Sequence, residues 1–125
     1  MEICPGLPAV LIVDDEPLIR MYAADGLTDA GFQVFEAQDA AEAMVVLIQH
    51  DEIGVLFTDI NMPGPLDGLE LARRVHEVRP EIQLIITSGK ERPTKVQIPD
   101  HGDFLQKPYN VDAVQKLIRL ASDRG

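Results

Sequence analysis

Residues 55–63 read VLFTDINMP, an apolar run that ends on the carboxylate of Asp59 and then turns. The run is short, rich in β-branched and aromatic side chains, and bounded by Gly54 and by the Pro-Gly-Pro sequence of residues 63–65. These features predict a strand that is buried on both faces. Asp59 then lies at or just past the C-terminal end of the strand, the edge at which α/β sheets bind ligands.

Length and composition predict a single globular domain. The chain has 125 residues, of which 46% are hydrophobic and 26% are charged, and these values are typical of soluble domains. Residues 1–8 contain Pro5, Gly6 and Pro8, which interrupt regular structure. We therefore expect an N-terminal tail over residues 1–8 and one domain over residues 9–124.

Composition also argues against several classes of partner. No apolar run approaches the roughly 20 residues that a membrane-spanning helix needs, and no basic segment followed by an apolar one marks a signal peptide. Cys4 is the only cysteine, which excludes an internal disulfide and a cysteine-rich metal site. The net charge of -10 argues against nonspecific binding to DNA or anionic membranes. We expect a cytoplasmic protein without a nucleic-acid or membrane partner.

Strand patterns and helix patterns alternate along the chain. Strands are predicted for residues 9–13, 32–37, 55–59, 82–87 and around 104–105. Residues 9–13, 55–59 and 82–87 are apolar runs and are predicted to be buried, whereas residues 32–37 alternate. Helices are predicted between them, the first starting at Pro17, the second capped by Asp39, the third ending before Pro80 and the last capped by Asn110. This alternation is typical of an α/β fold with a doubly wound, five-stranded parallel sheet and helices on both faces.

Apolar residues at helical spacing predict which faces of the helices are buried. The sets, in chain order, are Ile19, Tyr22 or Ala23, Leu27 and Ala30; Ala40, Ala43, Met44 and Leu47; Leu71, Val75 and Val78; and Val111, Val114, Leu117, Ile118 and Ala121. Residues 88–102 lack such a set and contain two prolines and two glycines. We therefore expect a loop there, or a fourth helix that is short or eroded.

Polar residues follow four of the predicted strands, in an otherwise apolar context. They are Asp14 and Asp15, Asp59, Thr87 and Ser88, and Lys107 with Pro108. In a parallel sheet these strand ends share one edge. Crowded carboxylates repel one another, and a hard cation such as Mg²⁺ offsets that repulsion. Asp59 is then predicted to be a nucleophile, Mg²⁺ and Lys107 to neutralise phosphoryl oxygens, and Thr87 to hydrogen-bond one of them.

With these residues in this order, the chain resembles response-regulator receiver domains, the CheY-like family. The resemblance covers about residues 9–123 and extends to Met62-Pro63 after the acceptor and to Asp67-Gly68 at the third helix. It implies the flavodoxin-like strand order 2-1-3-4-5. Residues 62–68 look one residue longer than the common form of this loop, so its path over the site is expected to differ.

The resemblance also implies roles for individual residues. Asp59 corresponds to the aspartate that a histidine kinase or a histidine phosphotransfer protein phosphorylates. Asp15 resembles a direct Mg²⁺ ligand, Asp14 one that acts mostly through water, and Asn61 one that offers its backbone carbonyl. Asp59 is the remaining residue of this implied set of Mg²⁺ ligands.

Other roles implied by the resemblance concern the switch. Thr87 resembles the switch hydroxyl and Lys107 the lysine that pairs with the phosphoryl group. The peptide bond between Lys107 and Pro108 is expected to be cis. Phe104 stands at the aromatic switch position and, without a hydroxyl, is expected to act by packing alone.

The sequence leaves three functions open. The first is a stand-alone receiver, a phosphorylation switch in two-component phosphorelay signalling that is no enzyme beyond its own phosphorylation and dephosphorylation. Its output is expected to be contact with an unknown downstream protein or service as a phosphate sink. The second is a phosphorylation-independent interaction module, favoured by the eroded fourth helix and disfavoured by the intact acidic set. The third, an aspartate-nucleophile phosphatase, is disfavoured because Asn61 stands where such enzymes carry a second acid.

Overall fold

The computed structural model describes residues 6–89, residue 98 and residues 102–124. Nine helices and strands lie within these residues. In chain order they are β1 (Ala9–Val13), α1 (Pro17–Asp29), β2 (Val34–Ala37), α2 (Ala40–Gln49), β3 (Ile53–Asp59), α3 (Gly68–Val78), β4 (Gln83–Ser88), β5 (Asp103–Gln106) and α4 (Val111–Arg124). The predicted fourth helix and most of the predicted tail fall on residues outside the described ones.

The five strands form one sheet in the order β2-β1-β3-β4-β5, and every neighbouring pair is parallel. This confirms the predicted fold class and strand order. Of the described helices, α2 and α3 supply buried residues to one hydrophobic cluster and α1 and α4 to another. Side chains of the interior strand β1 alternate between the two clusters, with Leu11 in the first and Ile12 in the second. The sheet is therefore covered on both faces.

Strand β3 begins earlier than predicted, because Gly54 lies inside it and does not bound it. The pairing of β1 with β3 shifts register at this point, from Ala9 opposite Ile53 to Val10 opposite Val55. Gly54 is therefore the extra residue of a bulge. A Cβ atom at Gly54 would lie 2.9 Å from Cβ of Pro8, so the glycine also leaves room for Pro8 to pack against β3.

The structure decides between the alternatives on α1 and corrects one residue on α3. In α1, Ala23 and Leu27 are buried together with Ala24, whereas 51% of Tyr22 is exposed. In α3, Val78 is 69% exposed because it is the last residue of the helix and the chain turns inward only after it.

The residue that turns inward there is Arg79. Its guanidinium donates hydrogen bonds to the carbonyl oxygens of Leu47 (3.3 Å), Asp51 (2.9 Å) and Ile53 (2.9 Å). It thereby satisfies carbonyl groups at the C-terminal end of α2, in the turn that follows and at the start of β3.

The predicted helix caps form as expected. The Asp39 side chain accepts a hydrogen bond from the backbone N–H of Glu42 at 2.8 Å, and Asn110 Oδ1 accepts one from the N–H of Asp112 at 2.7 Å. Each cap satisfies a backbone donor that the helix leaves unpaired. Among the described helices, none is long and apolar enough to span a membrane.

Candidate functional site

The C-terminal ends of β1, β3, β4 and β5 meet at one edge of the sheet, as predicted. Beyond the strand ends, the backbone N–H of Ile60 donates to the carbonyl of Thr87 at 2.9 Å, and the N–H of Lys107 donates to that of Ser88 at 3.0 Å. Asp59 pairs with Thr87 in the ladder between β3 and β4. The backbone therefore fixes how the functional residues on these three strands are placed relative to one another.

Lys107 connects the carboxylates at this edge. Its Nζ donates hydrogen bonds to Asp14 Oδ2 at 3.0 Å and to Asp59 Oδ2 at 3.2 Å, and it lies 3.7 Å from Glu16 Oε1. The side chains of Lys107, Asp14 and Asp59 are only 12%, 4% and 5% exposed. The lysine thus partly neutralises two carboxylates that have lost most of their water.

The pKa values of Asp59 and Lys107 are both raised, but for different reasons. Desolvation raises the pKa of the Asp59 carboxyl; the Lys107 charge opposes the shift and the Asp14 charge adds to it. For Lys107, burial favours a lower pKa, but its hydrogen bond to Asp14 and the charge of Asp59 outweigh burial and raise it. Lys107 therefore stays protonated at neutral pH, while ionised Asp59 is held in an unfavourable environment.

The carboxylates of Asp14, Asp15, Glu16 and Asp59 form a cluster suited to a hard cation. One oxygen from each lies within 4.8 Å of the others. Mg²⁺ binds oxygen ligands at about 2.1 Å, which places opposite ligands about 4.2 Å apart. Asp14 and Asp59 are buried and Asp15 and Glu16 exposed, so water can complete the coordination. The donor set therefore fits Mg²⁺, the cation expected from the sequence.

Asn61 lies beside this cluster. Its backbone N–H donates to Asp59 Oδ1 at 3.3 Å, and its side-chain amide donates to Ser88 Oγ at 3.4 Å. A cavity of about 230 Å³, lined by Asp15, Glu16, Asp59, Asn61, Gly89 and Lys107, opens above the cluster. It is large enough for a phosphoryl group and bound water.

Thr87 has a buried hydroxyl for which the described residues provide no hydrogen-bond partner. The Thr58 hydroxyl is also buried, but it donates a hydrogen bond to the carbonyl oxygen of Asp59 at 3.0 Å. A buried hydroxyl without a partner costs about 1–3 kcal/mol. An oxyanion bound next to Asp59 could accept the hydrogen bond that the Thr87 hydroxyl lacks.

Strand β5 and the turn after it form the outer wall of the site. Phe104 is half-buried against the cluster under α2 and α3, and the Lys107–Pro108 peptide bond is cis. The Tyr109 ring packs edge-on against Phe57, with centroids 5.1 Å apart. Burial raises the pKa of the Tyr109 phenol, and the nearby Asp14 charge adds to the shift. Tyr109 is therefore a neutral packing residue at physiological pH.

Two residues at the site were not identified as part of it from the sequence. Glu16 looks like an ordinary acidic residue at a helix start, yet its carboxylate belongs to the acidic cluster. Arg20 lies in α1, and its Nη1 donates to the backbone carbonyl of Asp14 at 2.7 Å. The spacing of Arg20 gives no signal, because an arginine on the polar face of a helix usually faces solvent.

The raised pKa of Asp59 leads to a stability prediction. An acid whose pKa is higher in the folded state makes the protein less stable as pH rises from the unfolded value of 3.8 through the folded value. In chelator at neutral pH we expect Asp59→Asn to raise the free energy of unfolding, by on the order of 1 kcal/mol. The gain should disappear at acidic pH, where Asp59 is protonated. Urea unfolding followed by circular dichroism measures it, and a variant less stable than the wild type at neutral pH would contradict it.

Comparison with known proteins agrees with this geometry. The family model for the response regulator receiver domain matches residues 10–119. The C4-dicarboxylate transport transcriptional regulatory protein DctD of Pseudomonas aeruginosa is 36% identical over 115 residues, which cover 90% of this chain and 24% of DctD. The sensor histidine kinase RcsC of Escherichia coli is 30% identical over 118 residues, which cover 92% of this chain and 12% of RcsC.

A solved structure gives the same result at the level of the fold. The receiver domain of NtrX from Brucella abortus superposes with a TM-score of 0.82 at 31% identity, covering 93% of this chain and 99% of that domain. The chain spans a quarter or less of the length of DctD and RcsC. Receiver domains bind Mg²⁺ at an acidic pocket and take phosphoryl groups from histidine kinases. By its sequence match and its fold, the chain belongs to the response regulator receiver domain family of two-component phosphorelay signalling.

Proposed function

We propose that Asp59 of this receiver accepts a phosphoryl group from a sensor histidine kinase or a histidine phosphotransfer protein. The observation that carries the proposal is the position of Asp59, which contacts Lys107 at 3.2 Å and belongs to the acidic cluster. Asp14, Asp15 and Asp59 would hold Mg²⁺, with the backbone carbonyl of Asn61 as a further ligand. Once bound, the cation would neutralise charge on the phosphoryl oxygens.

The chemistry is a transfer between two nucleophiles. A carboxylate oxygen of Asp59 forms a bond to phosphorus while the phosphorus–nitrogen bond of the donor phosphohistidine breaks, and the imidazole leaves with the electron pair. Lys107 is already within reach of Asp59 and can pair with one phosphoryl oxygen. Thr87, in register with Asp59 in the ladder, can donate its hydroxyl to another.

The switch follows from the same contacts. A phosphoryl group adds charge and acceptor oxygens beside Thr87, and movement of the Thr87 side chain changes the space available to Phe104. Phe104 is opposite Ile86, the residue before Thr87, in the ladder between β4 and β5. Repacking of the half-buried ring would alter the outer face that a downstream protein contacts. A role as a phosphate sink needs only the transfer and not the repacking.

Intact-mass analysis tests the phosphorylation. Purified protein is incubated with a small-molecule phosphodonor, with Mg²⁺ or with chelator, as wild type and as Asp59→Asn. We expect one phosphoryl adduct on the wild type with Mg²⁺, and none with chelator or on the variant. An adduct of equal yield on Asp59→Asn would contradict the proposal. No adduct under any condition would favour the phosphorylation-independent interaction module.

A further inference from the structure

Arg20 connects the acidic cluster to strand β2. Its Nη1 donates to the backbone carbonyl of Asp14 at 2.7 Å, and its Nε donates to Glu36 Oε1 at 3.2 Å. The Arg20 side chain is 20% exposed and that of Glu36 is 45% exposed. Neither residue takes part in the phosphoryl transfer proposed above, so that transfer does not explain these two contacts.

The carbonyl that Arg20 binds belongs to the peptide group between Asp14 and Asp15, two residues of the acidic cluster. The orientation of this peptide group helps to set the directions in which both side chains leave the backbone. The other polar groups of Asp14 are also held: its N–H donates to the Ala37 carbonyl at 3.1 Å, and its Oδ1 accepts from the N–H of Glu16 at 2.9 Å. Asp14 is thus fixed through its backbone and its side chain.

Glu36 in turn orients the arginine. It lies on β2, opposite Ile12 in the ladder with β1, and so on the strand that flanks the loop carrying the acids. Its carboxylate takes one N–H of the guanidinium and leaves another directed at Asp14. The planar guanidinium can serve both acceptors at once, which a single ammonium group does less well.

We infer that Arg20, oriented by Glu36, is a positioning residue that holds the Asp14–Asp15 peptide in the conformation required for cation binding. The inference rests on the proposed function, since it assigns the acidic cluster to Mg²⁺. Groups that orient metal ligands commonly change metal affinity about tenfold or more when they are removed. Arg20 acts on the ligands through the backbone and does not touch the cation.

A purely structural role would look different. A partly exposed ion pair between a helix and an edge strand contributes little to stability by itself. If Arg20 served only that purpose, its removal would lower thermal stability slightly and leave the Mg²⁺ affinity of the folded protein unchanged. Positioning predicts a shift in affinity that exceeds any change explained by unfolding.

The test is a calorimetric titration of the intact chain with Mg²⁺, repeated on four variants. Arg20→Met removes the guanidinium and keeps the stem, Arg20→Lys keeps the charge, and Glu36→Gln removes the negative charge that orients the guanidinium while it keeps a neutral acceptor. Arg74→Met is the matched control, because Arg74 is an exposed arginine that pairs with Glu70 on α3. Circular dichroism and thermal unfolding establish that each variant is folded.

We expect Arg20→Met to weaken Mg²⁺ binding about tenfold. Glu36→Gln and Arg20→Lys should weaken it less, and Arg74→Met should bind as the wild type does. If Arg20→Met fails to fold, Glu36→Gln and Arg20→Lys still decide the question.

If every folded variant at Arg20 and Glu36 binds Mg²⁺ with wild-type affinity, the inference is overturned and the proposed function is unaffected. Absence of Mg²⁺ binding by the wild type would instead overturn the proposed cation site, and the inference with it. Failure of the inference and failure of the proposed function therefore give different results.

Discussion

Lys107→Met is expected to lower the free energy of unfolding by about 3 kcal/mol at neutral pH in chelator, as removal of one partner from a buried ion pair usually does. Lys107 donates to Asp14 and Asp59, and both carboxylates are buried. Methionine fills a similar volume without the charge. The loss would therefore come from two carboxylates left in a water-poor site without a cation.

The pH dependence of this loss identifies its cause. The destabilisation should shrink as the solution is acidified, because protonated carboxyls no longer need a cation. On the alkaline side, Lys107 has a raised pKa in the folded protein. The stability that Lys107 contributes is therefore fully present below its pKa of 10.5 in the unfolded chain. It is lost as pH rises through the higher pKa that Lys107 has in the folded protein. The free energies of unfolding of the wild type and of Lys107→Met should therefore converge at both extremes of pH.

Urea unfolding of wild type and Lys107→Met across this pH range measures the effect, with and without Mg²⁺. Lys116→Met is the control, because Lys116 lies exposed on α4 and should unfold as the wild type does. Mg²⁺ should restore part of the stability lost in Lys107→Met by supplying the missing positive charge. A destabilisation that does not vary with pH would mean that packing, and not charge, explains the loss.

Gly68→Ala is the second substitution with a large expected effect. A Cβ atom at Gly68 would overlap the carbonyl oxygen of Asp59 and approach Cα of Ile60 to 2.9 Å. Both contacts are to backbone, which cannot rotate away as a side chain can. Because Gly68 begins α3 and its N–H donates to the Ile60 carbonyl at 2.9 Å, relief would require moving the helix or the end of β3. We expect a loss of about 3 kcal/mol.

The same change should also impair phosphorylation, since it displaces the backbone of the acceptor Asp59 itself. Gly89→Ala is the matched control for stability, because a Cβ there would lie 3.6 Å from Cβ of Lys107, which is an ordinary contact. Since Gly89 lines the cavity over Asp59, the wild type is the reference for phosphorylation. Thermal unfolding compares the two variants, and intact-mass analysis compares Gly68→Ala with the wild type. Stability of Gly68→Ala equal to that of Gly89→Ala, or phosphorylation equal to that of the wild type, would contradict the prediction.

Much of the fold could be predicted because the signals are local. Continuous apolar runs mark the central strands, and Asp39 and Asn110 mark helix starts by capping chemistry that depends on only a few neighbouring residues. The shared edge of Asp14, Asp59, Thr87 and Lys107 then follows from parallel strand direction alone. Strand order followed from the family resemblance, and the sheet confirms it.

The remaining features depend on contacts that only the assembled sheet creates. Gly54 looks like a strand boundary until the bulge beside Pro8 is seen. Arg20 contacts Glu36 only because β2 lies beside β1. Knowing that β2 lies beside β1 does not by itself identify Arg20 as the residue that makes this contact. Val78 keeps the spacing of a buried residue, and only the end of α3 explains its exposure.

Burial is uneven across the sheet, and this affects which part of the site opens locally. All five residues of β1 are buried, whereas none of the residues of β5 is fully buried. Segments with little buried surface open locally at a lower free energy than the core does. Asp14 follows the buried strand β1, and Asp59 ends the largely buried strand β3, whereas Lys107 follows β5. We therefore expect local opening to displace Lys107 at a lower free energy than it displaces the two carboxylates.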